Sequence, residues 1–427
     1  MAFDLFDPAT RADPYPCYAA QRARAPVVWS DQVRAWVLLG HAEVQAVLRD
    51  DTVFSADRRR SRRRRGEEGA DGLAPQRPTP GAGPPGGAAA AGGTVIRVVA
   101  SDPPEGLDVR ALLNDALVPM VRAIGPRIDA LVTELLDGLT LRAAREATVD
   151  LVEDFAYALP IRVIAELLDV PPHERARFQD LSRAIARGMD RFYGGDDVRA
   201  GLAEIGAYFL GLLPERRERA TLLTRGGALG SAALHDVDLV TRLLLAERQG
   251  DRLSDLEVVA MCTALVFGGH ETTVNLIANG MLALLRHPDE RRRLLDVPSL
   301  VPTAVEELLR YDSPPQFVSR VVVETTTLGG ALLQPGDSVL VGIGAANRDP
   351  AAFDDPDRLD VGRTPNAHVA FGLGTHFCPG AQLSRLEARA ALPALLASFP
   401  DLRLNGDPVW RPTFILRGLE RLLVRLR

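Results

Sequence analysis

A glycine-rich loop near the end of the chain contains the residue with the clearest chemical potential. In FGLGTHFCPG, residues 371–380, the cysteine Cys378 stands two positions after His376 and directly before a proline. Gly372 and Gly374 permit backbone geometries and close approaches that a side chain would block. The next segment has helical periodicity, and helix N–H groups favour a charged thiolate. We therefore predict an anionic sulfur presented to a ligand, in preference to a buried structural cysteine.

A second polar group interrupts a long apolar segment. Residues 254–287 contain no helix breaker apart from central glycines, and Ser254 with Glu257 has the spacing of a capping box. We predict a core helix of about 50 Å, at a rise of ~1.5 Å per residue. GGHETT stands in its middle, where Glu271 is costly to bury unpaired. Glu271 and Thr272 could handle protons, while a packing role for the glycines and a satisfied polar pair explain the pattern equally well.

A third group contains a possible ion pair. Glu307 and Arg310 are one helical turn apart in EELLRYDSPPQFVSR, so their side chains can meet. Most such pairs are exposed and contribute little to stability. Arg358, in the proline-punctuated stretch 347–363, is a candidate to complete a network with Glu307.

Composition narrows the class of protein. The chain has 427 residues, 46% hydrophobic, and a net charge of −6, which argues against nucleic acid as the main partner. Cys17, Cys262 and Cys378 are too few and scattered for a disulfide framework. Neither a signal peptide nor a long uncharged apolar stretch is evident. We therefore expect a cytoplasmic protein without a membrane partner.

Periodicity predicts a mainly α chain with minor β structure towards both ends. Residues 57–94 combine an arginine run with Gly, Pro and Ala, which predicts a disordered low-complexity insertion; an arginine grip on an anionic partner is the alternative. No repeat or linker is evident, which favours one domain over residues 1–427. The segments with strand patterns are 25–40, 321–343 and 410–427, and the mostly helical segment is 102–285.

In this order and spacing, the three groups resemble the cytochrome P450 monooxygenases of the soluble bacterial type. FGLGTHFCPG fits the family's F-G-x-G-x-H-x-C-x-G haem loop at every fixed position. GGHETT resembles its oxygen-activation segment, and Glu307-Leu-Leu-Arg310 its E-x-x-R pair. The resemblance covers the chain apart from residues 57–94. It implies the cytochrome P450 fold, a single large helical domain with small β-sheet regions.

The resemblance also implies haem b as the cofactor, with no tightly bound flavin. Cys378 corresponds to the axial thiolate and is the implied metal ligand. Thr272 and Glu271 correspond to the catalytic pair, with Thr272 acting in oxygen activation and Glu271 relaying protons. The other implied cofactor-binding residues are His376, Arg320, Arg110, Phe371, Gly372 and Gly269.

Two further features of the sequence concern the haem region. The resemblance implies that Glu307, Arg310 and Arg358 form a buried structural triad. Gly106 departs from the family pattern, because a histidine is common there. A glycine at this position puts one contact with a haem propionate in doubt. Arg110 still stands at the position of the arginine in the family pattern.

The implied activity is hydroxylation or epoxidation of a hydrophobic natural-product intermediate, such as a polyketide, macrolide, terpene or peptide. Ferredoxin and ferredoxin reductase would supply electrons to a monomeric enzyme that uses O2. One alternative is a haem-thiolate enzyme for oxidative coupling, cyclisation or peroxide-driven oxidation, and another is a non-catalytic haem-binding partner or sensor. The expected cavity lining is apolar and comprises residues 95–99, Leu265, Val266, Phe317, Val318 and residues 414–416.

Overall fold

The computed structural model describes residues 4–61, 102, 105–178, 180–181, 196–224, 237–248 and 251–427. The chain divides into two compact units. Unit 1 comprises Met1–Gly66, Arg127–Pro160 and Thr272–Arg427, and unit 2 comprises Glu67–Pro126 and Ile161–Glu271. The prediction of a single domain stays a prediction. Of the predicted insertion at 57–94, only residues 57–61 are described, and Arg58–Arg60 form a 3-10 helix there.

Helices account for most of the described residues, as the sequence predicted. They are α1 (Pro8–Ala12), α2 (Tyr15–Arg22), α3 (His41–Arg49), α4 (Glu105–Ala123), α5 (Gly125–Ala143), α6 (Ala158–Leu167), α7 (Asp196–Thr224), α8 (Leu239–Leu245), α9 (Asp255–Arg286), α10 (Pro288–Asp296), α11 (Val301–Tyr311), α12 (Ile343–Ala346) and α13 (Ala381–Ser398). No helix in the described ranges is long and apolar enough to cross a membrane.

The strands lie mainly in unit 1 and form small sheets. They are β1 (Val27–Ser30), β2 (Ala35–Leu38), β3 (Phe54–Ser55), β4 (Val149–Asp150), β5 (Glu247–Arg248), β6 (Asp251–Arg252), β7 (Phe317–Val322), β8 (Thr326–Leu328), β9 (Ala331–Leu333), β10 (Ser338–Gly342), β11 (Arg403–Leu404), β12 (Val409–Trp410), β13 (Leu419–Arg421) and β14 (Leu423–Arg425). The predicted strand segments are confirmed.

The largest sheet of unit 1 has the strand order β1-β2-β10-β7-β3. The β1–β2 hairpin lies within the predicted strand segment 25–40, and β10 joins β2 in parallel but β7 in antiparallel register. Alternating side chains of these strands pack against α3, in a core that includes Leu38, Val44 and Val341. The cysteine loop rests on this core.

The helix α9 runs unbroken through GGHETT, as predicted. Its capping box is formed, because the Glu257 amide donates to Ser254 Oγ at 3.3 Å and Ser254 N donates to Glu257 Oε2 at 2.8 Å. In unit 1, Asn279 Nδ2 donates to the carbonyl of Arg417 at 3.1 Å, which ties the end of the helix to the segment before β13. Most α9 side chains are buried, consistent with a core helix.

Unit 2 is held by helix packing and one buried aspartate. The helix α8 packs against α7 and α4. Asp238 caps α8 by accepting from the Thr241 amide at 2.9 Å. The same carboxylate pairs with Arg219 at 3.1 Å and with Arg216 at 3.6 Å, so a buried charge has cationic partners.

Candidate active site

The backbone of the cysteine loop is fixed by two glycines with positive φ. Gly372 has φ 71° and Gly374 has φ 68°, a region that residues with a side chain adopt rarely. A Cβ at Gly374 would lie 2.7 Å from the carbonyl oxygen of Leu48, so a side chain there would also clash. The Cys378 amide donates to the carbonyl of Phe371 at 2.9 Å and closes the loop.

Apolar and polar anchors attach this loop to unit 1. Val369 belongs to the core beneath the five-stranded sheet, and Leu373 packs against the same core. Thr375 Oγ1 donates to Asp51 Oδ2 at 2.7 Å, just beyond α3. The sulfur is therefore held by a well-packed scaffold.

Cys378 differs from the other two cysteines in exposure. Cys17 and Cys262 are buried, and burial raises the pKa of both thiols, which keeps them neutral. Cys378 is partly exposed, and a Cβ at Gly380, the N-cap of α13, would lie 3.8 Å from its Sγ. The start of α13 thus lies near the one accessible thiol, as predicted, and favours its thiolate form.

One face of α9 is accessible within an otherwise buried helix. Ala264, Gly268 and Thr272 are spaced four residues apart, so they share a face, and all three retain exposure. A Cβ at Gly268 would meet nothing within 4 Å. Glu271, beside Thr272, is fully buried. Thr272 therefore lies on the accessible face of α9 and retains partial exposure.

The neighbouring residues of this segment have packing roles. A Cβ at Gly269 would lie 3.3 Å from Ile164 Cδ1, so this glycine allows close packing within unit 2. Thr273 is buried, and its Oγ1 donates to Ser384 Oγ of α13 at 3.2 Å. The suggestion that one of the two glycines has a packing role thus has structural support at Gly269, while Gly268 borders open space.

The E-x-x-R pair is a buried ion pair. Arg310 donates to both oxygens of Glu307, at 2.7 Å from Nε and 2.8 Å from Nη2, and both side chains are fully buried. The third arginine is Arg363, whose Nε lies 3.2 Å from Glu307 Oε1. The choice of Arg358 was wrong, because its exposed side chain takes no part and only its carbonyl accepts from Arg310, at 3.2 Å.

The remaining predicted site residues are distributed over both units. Unit 1 contains Cys378, Phe371, Gly372, Thr272, a buried Arg320 on β7, and His376 in the 3-10 turn Gly374–His376. Unit 2 contains Arg110 on α4, Gly269 and Glu271.

The predicted cavity lining stays a prediction. Residues 95–99 lie outside the described residues. Phe317 and Phe414 meet edge to face, with ring centroids 6.0 Å apart, and both are buried. Leu265 and Val266 are also buried, whereas Val318 is partly exposed. Several of these residues are therefore core, and the link between β7 and residues 414–416 is structural.

Two charged features of unit 1 were not predicted from the sequence. Glu306, directly before Glu307, accepts two hydrogen bonds from Arg385. Glu387 is buried in α13, and burial raises the pKa of its carboxyl well above the ordinary value. The adjacent acidic pair in EELLR was the only local signal for the first, and periodicity places Glu387 on the buried face of α13.

Comparisons with known proteins agree with this geometry. The family model described as Cytochrome P450 matches residues 215–296 and 299–412. The chain is 36% identical to the vitamin D(3) 25-hydroxylase of Pseudonocardia autotrophica, across 99% of this chain and 96% of that protein. It is 37% identical to the cytochrome P450 monooxygenase PikC of Streptomyces venezuelae, across 97% and 92%. The solved structure of the Bacillus subtilis cytochrome P450 PksS has a TM-score of 0.83 at 31% identity and 100% coverage of both chains.

The protein therefore belongs to the cytochrome P450 family. It is a monooxygenase of the bacterial natural-product type with the family's mainly helical fold, and its cofactor is haem b. The donor set fits this cofactor, because the one accessible cysteine lies in a loop whose glycine at 374 leaves no room for a side chain.

Proposed function

We propose that this monooxygenase hydroxylates or epoxidises a hydrophobic natural-product intermediate, with Cys378 as the axial ligand of its haem. The observation that carries the ligand assignment is the contrast among the three thiols. Two are buried, and the third is partly exposed beside the start of α13. Iron prefers the thiolate over the thiol, so the residue whose surroundings favour the anion is the one suited to bind it.

Other residues of the chain suit the supporting roles. Haem with a thiolate ligand supplies O2 activation and oxygen insertion. Arg320 and His376, with Arg110, have the cationic or hydrogen-bonding groups that carboxylates of the cofactor require. Thr272 lies on the accessible face of α9, and its hydroxyl is the group proposed to hold or pass a proton. Glu271 directly precedes Thr272 in the chain, is fully buried, and is the proposed proton relay.

The substrate proposal rests on the relatives and on the chain's apolar segments. One relative is named for hydroxylation of vitamin D(3), and PksS for a polyketide synthase of bacillaene. We propose that the substrate of this chain is likewise a natural product that is mostly apolar. Ala264, on the accessible face of α9, is a partly exposed apolar residue suited to such a substrate. Product analysis by mass spectrometry would separate oxygen insertion, which adds the mass of oxygen, from oxidative coupling, which does not.

We propose that ferredoxin and its reductase supply the electrons. The enzyme is proposed to be a monomer in the cytoplasm. The support is the bacterial type of the relatives. Reconstitution with a ferredoxin and its reductase, followed by measurement of substrate-dependent NAD(P)H oxidation, tests the partner; turnover that needs peroxide alone would contradict it.

The ligand assignment is tested by the carbon monoxide difference spectrum of the reduced holoenzyme. We expect a strongly red-shifted Soret band in the wild type and in Cys17→Ala, which removes a buried thiol. We expect Cys378→Ser to lose that band, because an alcohol is a far poorer donor than a thiolate. Retention of the band in Cys378→Ser would overturn the assignment.

A further inference from the structure

A group of charged side chains surrounds the carboxylate of Glu306 in unit 1. Arg385 on α13 donates to its two oxygens, at 2.8 Å from Nε and 2.7 Å from Nη2. His368 Nε2 lies 3.0 Å from Oε2, and Arg389 Nη2 lies 3.5 Å from Oε1. Burial alone would raise the pKa of Glu306, but the hydrogen bonds from His368 and Arg385 lower it to about 2. We call Glu306, His368 and Arg385 the Glu306 cluster.

The Glu306 cluster holds an aromatic ring of the cysteine loop. The Arg385 guanidinium carbon lies 4.4 Å from the centroid of the Phe371 ring, a cation–π arrangement. Its two hydrogen bonds to one carboxylate fix the plane of the guanidinium, which lysine could not reproduce. The His368 ring lies 6.2 Å from the same phenyl ring. The ring is thus contacted by two members of the cluster.

The same cluster is bonded to the backbone next to this ring. His368 Nδ1 accepts from the Ala370 amide at 3.2 Å, which leaves Nε2 as the donor to Glu306. The adjacent residue, Phe371, accepts the Cys378 amide at its carbonyl, at 2.9 Å. Side-chain and backbone contacts therefore connect the Glu306 carboxylate to the start and the end of the cysteine loop.

We propose that Glu306, His368 and Arg385 are positioning residues that hold Phe371 in place and thereby set how strongly the Cys378 thiolate donates electrons to the haem. The inference rests on the proposed role of Cys378 as the haem ligand. Groups outside the ligand shell tune a metal by orienting what touches it. Here the cluster orients the aromatic residue whose carbonyl is bonded to the ligand's own amide.

The test is the haem reduction potential, measured in the holoenzyme with the carbon monoxide spectrum alongside. Arg385→Lys keeps the positive charge but loses the planar fork and the stack on Phe371. We expect it to shift the potential in the same direction as Phe371→Ala. We also expect Glu306→Gln to shift the potential in the direction measured for Phe371→Ala. In the Phe371→Ala background, Glu306→Gln should have less than half of the effect that it has in the wild type.

A matched control separates positioning from plain electrostatics. Arg389→Gln removes a cation that lies 3.5 Å from the same carboxylate, and it should leave the potential nearly unchanged. An unchanged potential in Arg385→Lys, or additive shifts in the double variant, would overturn the positioning role while the wild-type thiolate spectrum still upheld the proposed function. Absence of that spectrum from the wild type would overturn both.

Discussion

Thr272 and Thr273 are neighbours in α9 with different surroundings. Thr272 lies on the accessible face, whereas Thr273 is buried with its hydroxyl bonded to Ser384. Replacing either by valine removes the hydroxyl and keeps the shape. We expect Thr272→Val to lower the rate of product formation about 100-fold, the lower end of what a positioned proton-transfer group supplies. The measurement is the initial rate of product formation, with the product formed per O2 consumed recorded alongside.

Thr273→Val serves as the matched control for this prediction. It should cost about 1 kcal/mol in the free energy of unfolding, since one hydrogen bond to Ser384 is lost, and leave the yield per O2 close to that of the wild type. Equal losses of yield in both variants would show that the segment acts through its packing and not through the Thr272 hydroxyl.

At the scale of elements, the carboxylate of Glu307 joins α11 to the irregular stretch that follows α12. Arg363 donates to Glu307 at 3.2 Å and to the carbonyl of Asp354 at 2.7 Å. We expect Arg363→Gln to lower the free energy of unfolding by about 2 kcal/mol, because hydrogen bonds of charged groups are among the strongest in proteins. Urea unfolding of the holoenzyme measures it.

Arg358→Gln tests which arginine stabilises the cluster of Glu307 and Arg310. The sequence predicted Arg358, whereas in the structure Arg363 donates to Glu307. The Arg358 side chain is exposed, and its backbone carbonyl survives the substitution. Its cost should stay within about 0.5 kcal/mol. A larger loss in Arg358→Gln than in Arg363→Gln would contradict the arrangement of this cluster.

These elements also show which features a sequence can predict. The capping box of α9, the strands within residues 25–40 and the glycine-rich cysteine loop depend on residues close in the chain, and all were predicted. The partner of Glu307 depends on the path of an irregular loop, so periodicity could not choose between Arg358 and Arg363. The Glu306 cluster joins residues on α11 and α13 that are far apart in the chain, and nothing local to either helix reports their meeting.

For the molecule as a whole, one buried acid should make stability depend on pH. Burial raises the pKa of Glu387 well above its ordinary 4.5, since no charge or hydrogen bond from the described residues offsets the lost solvation. Between pH 4.5 and the folded-state pKa, the native state therefore holds a proton that the unfolded state has released. The stability contributed by this group is complete below pH 4.5 and declines as the pH rises, by at most about 1.4 kcal/mol per pH unit.

Glu387→Gln cannot lose a proton, so its free energy of unfolding should rise relative to that of the wild type as the pH increases from 5 to 8. Glu420→Gln makes the same substitution at an exposed position of β13 and should follow the wild-type profile. Denaturant unfolding of each holoenzyme across this range measures the slopes. Parallel profiles for the wild type and Glu387→Gln would mean that the buried Glu387 carboxyl has a charge-stabilising partner and is ionised within the core. A decline in the wild type and in Glu420→Gln that Glu387→Gln lacks would show that the Glu387 carboxyl, on the helix beside the cysteine loop, is kept neutral at the expense of stability at high pH.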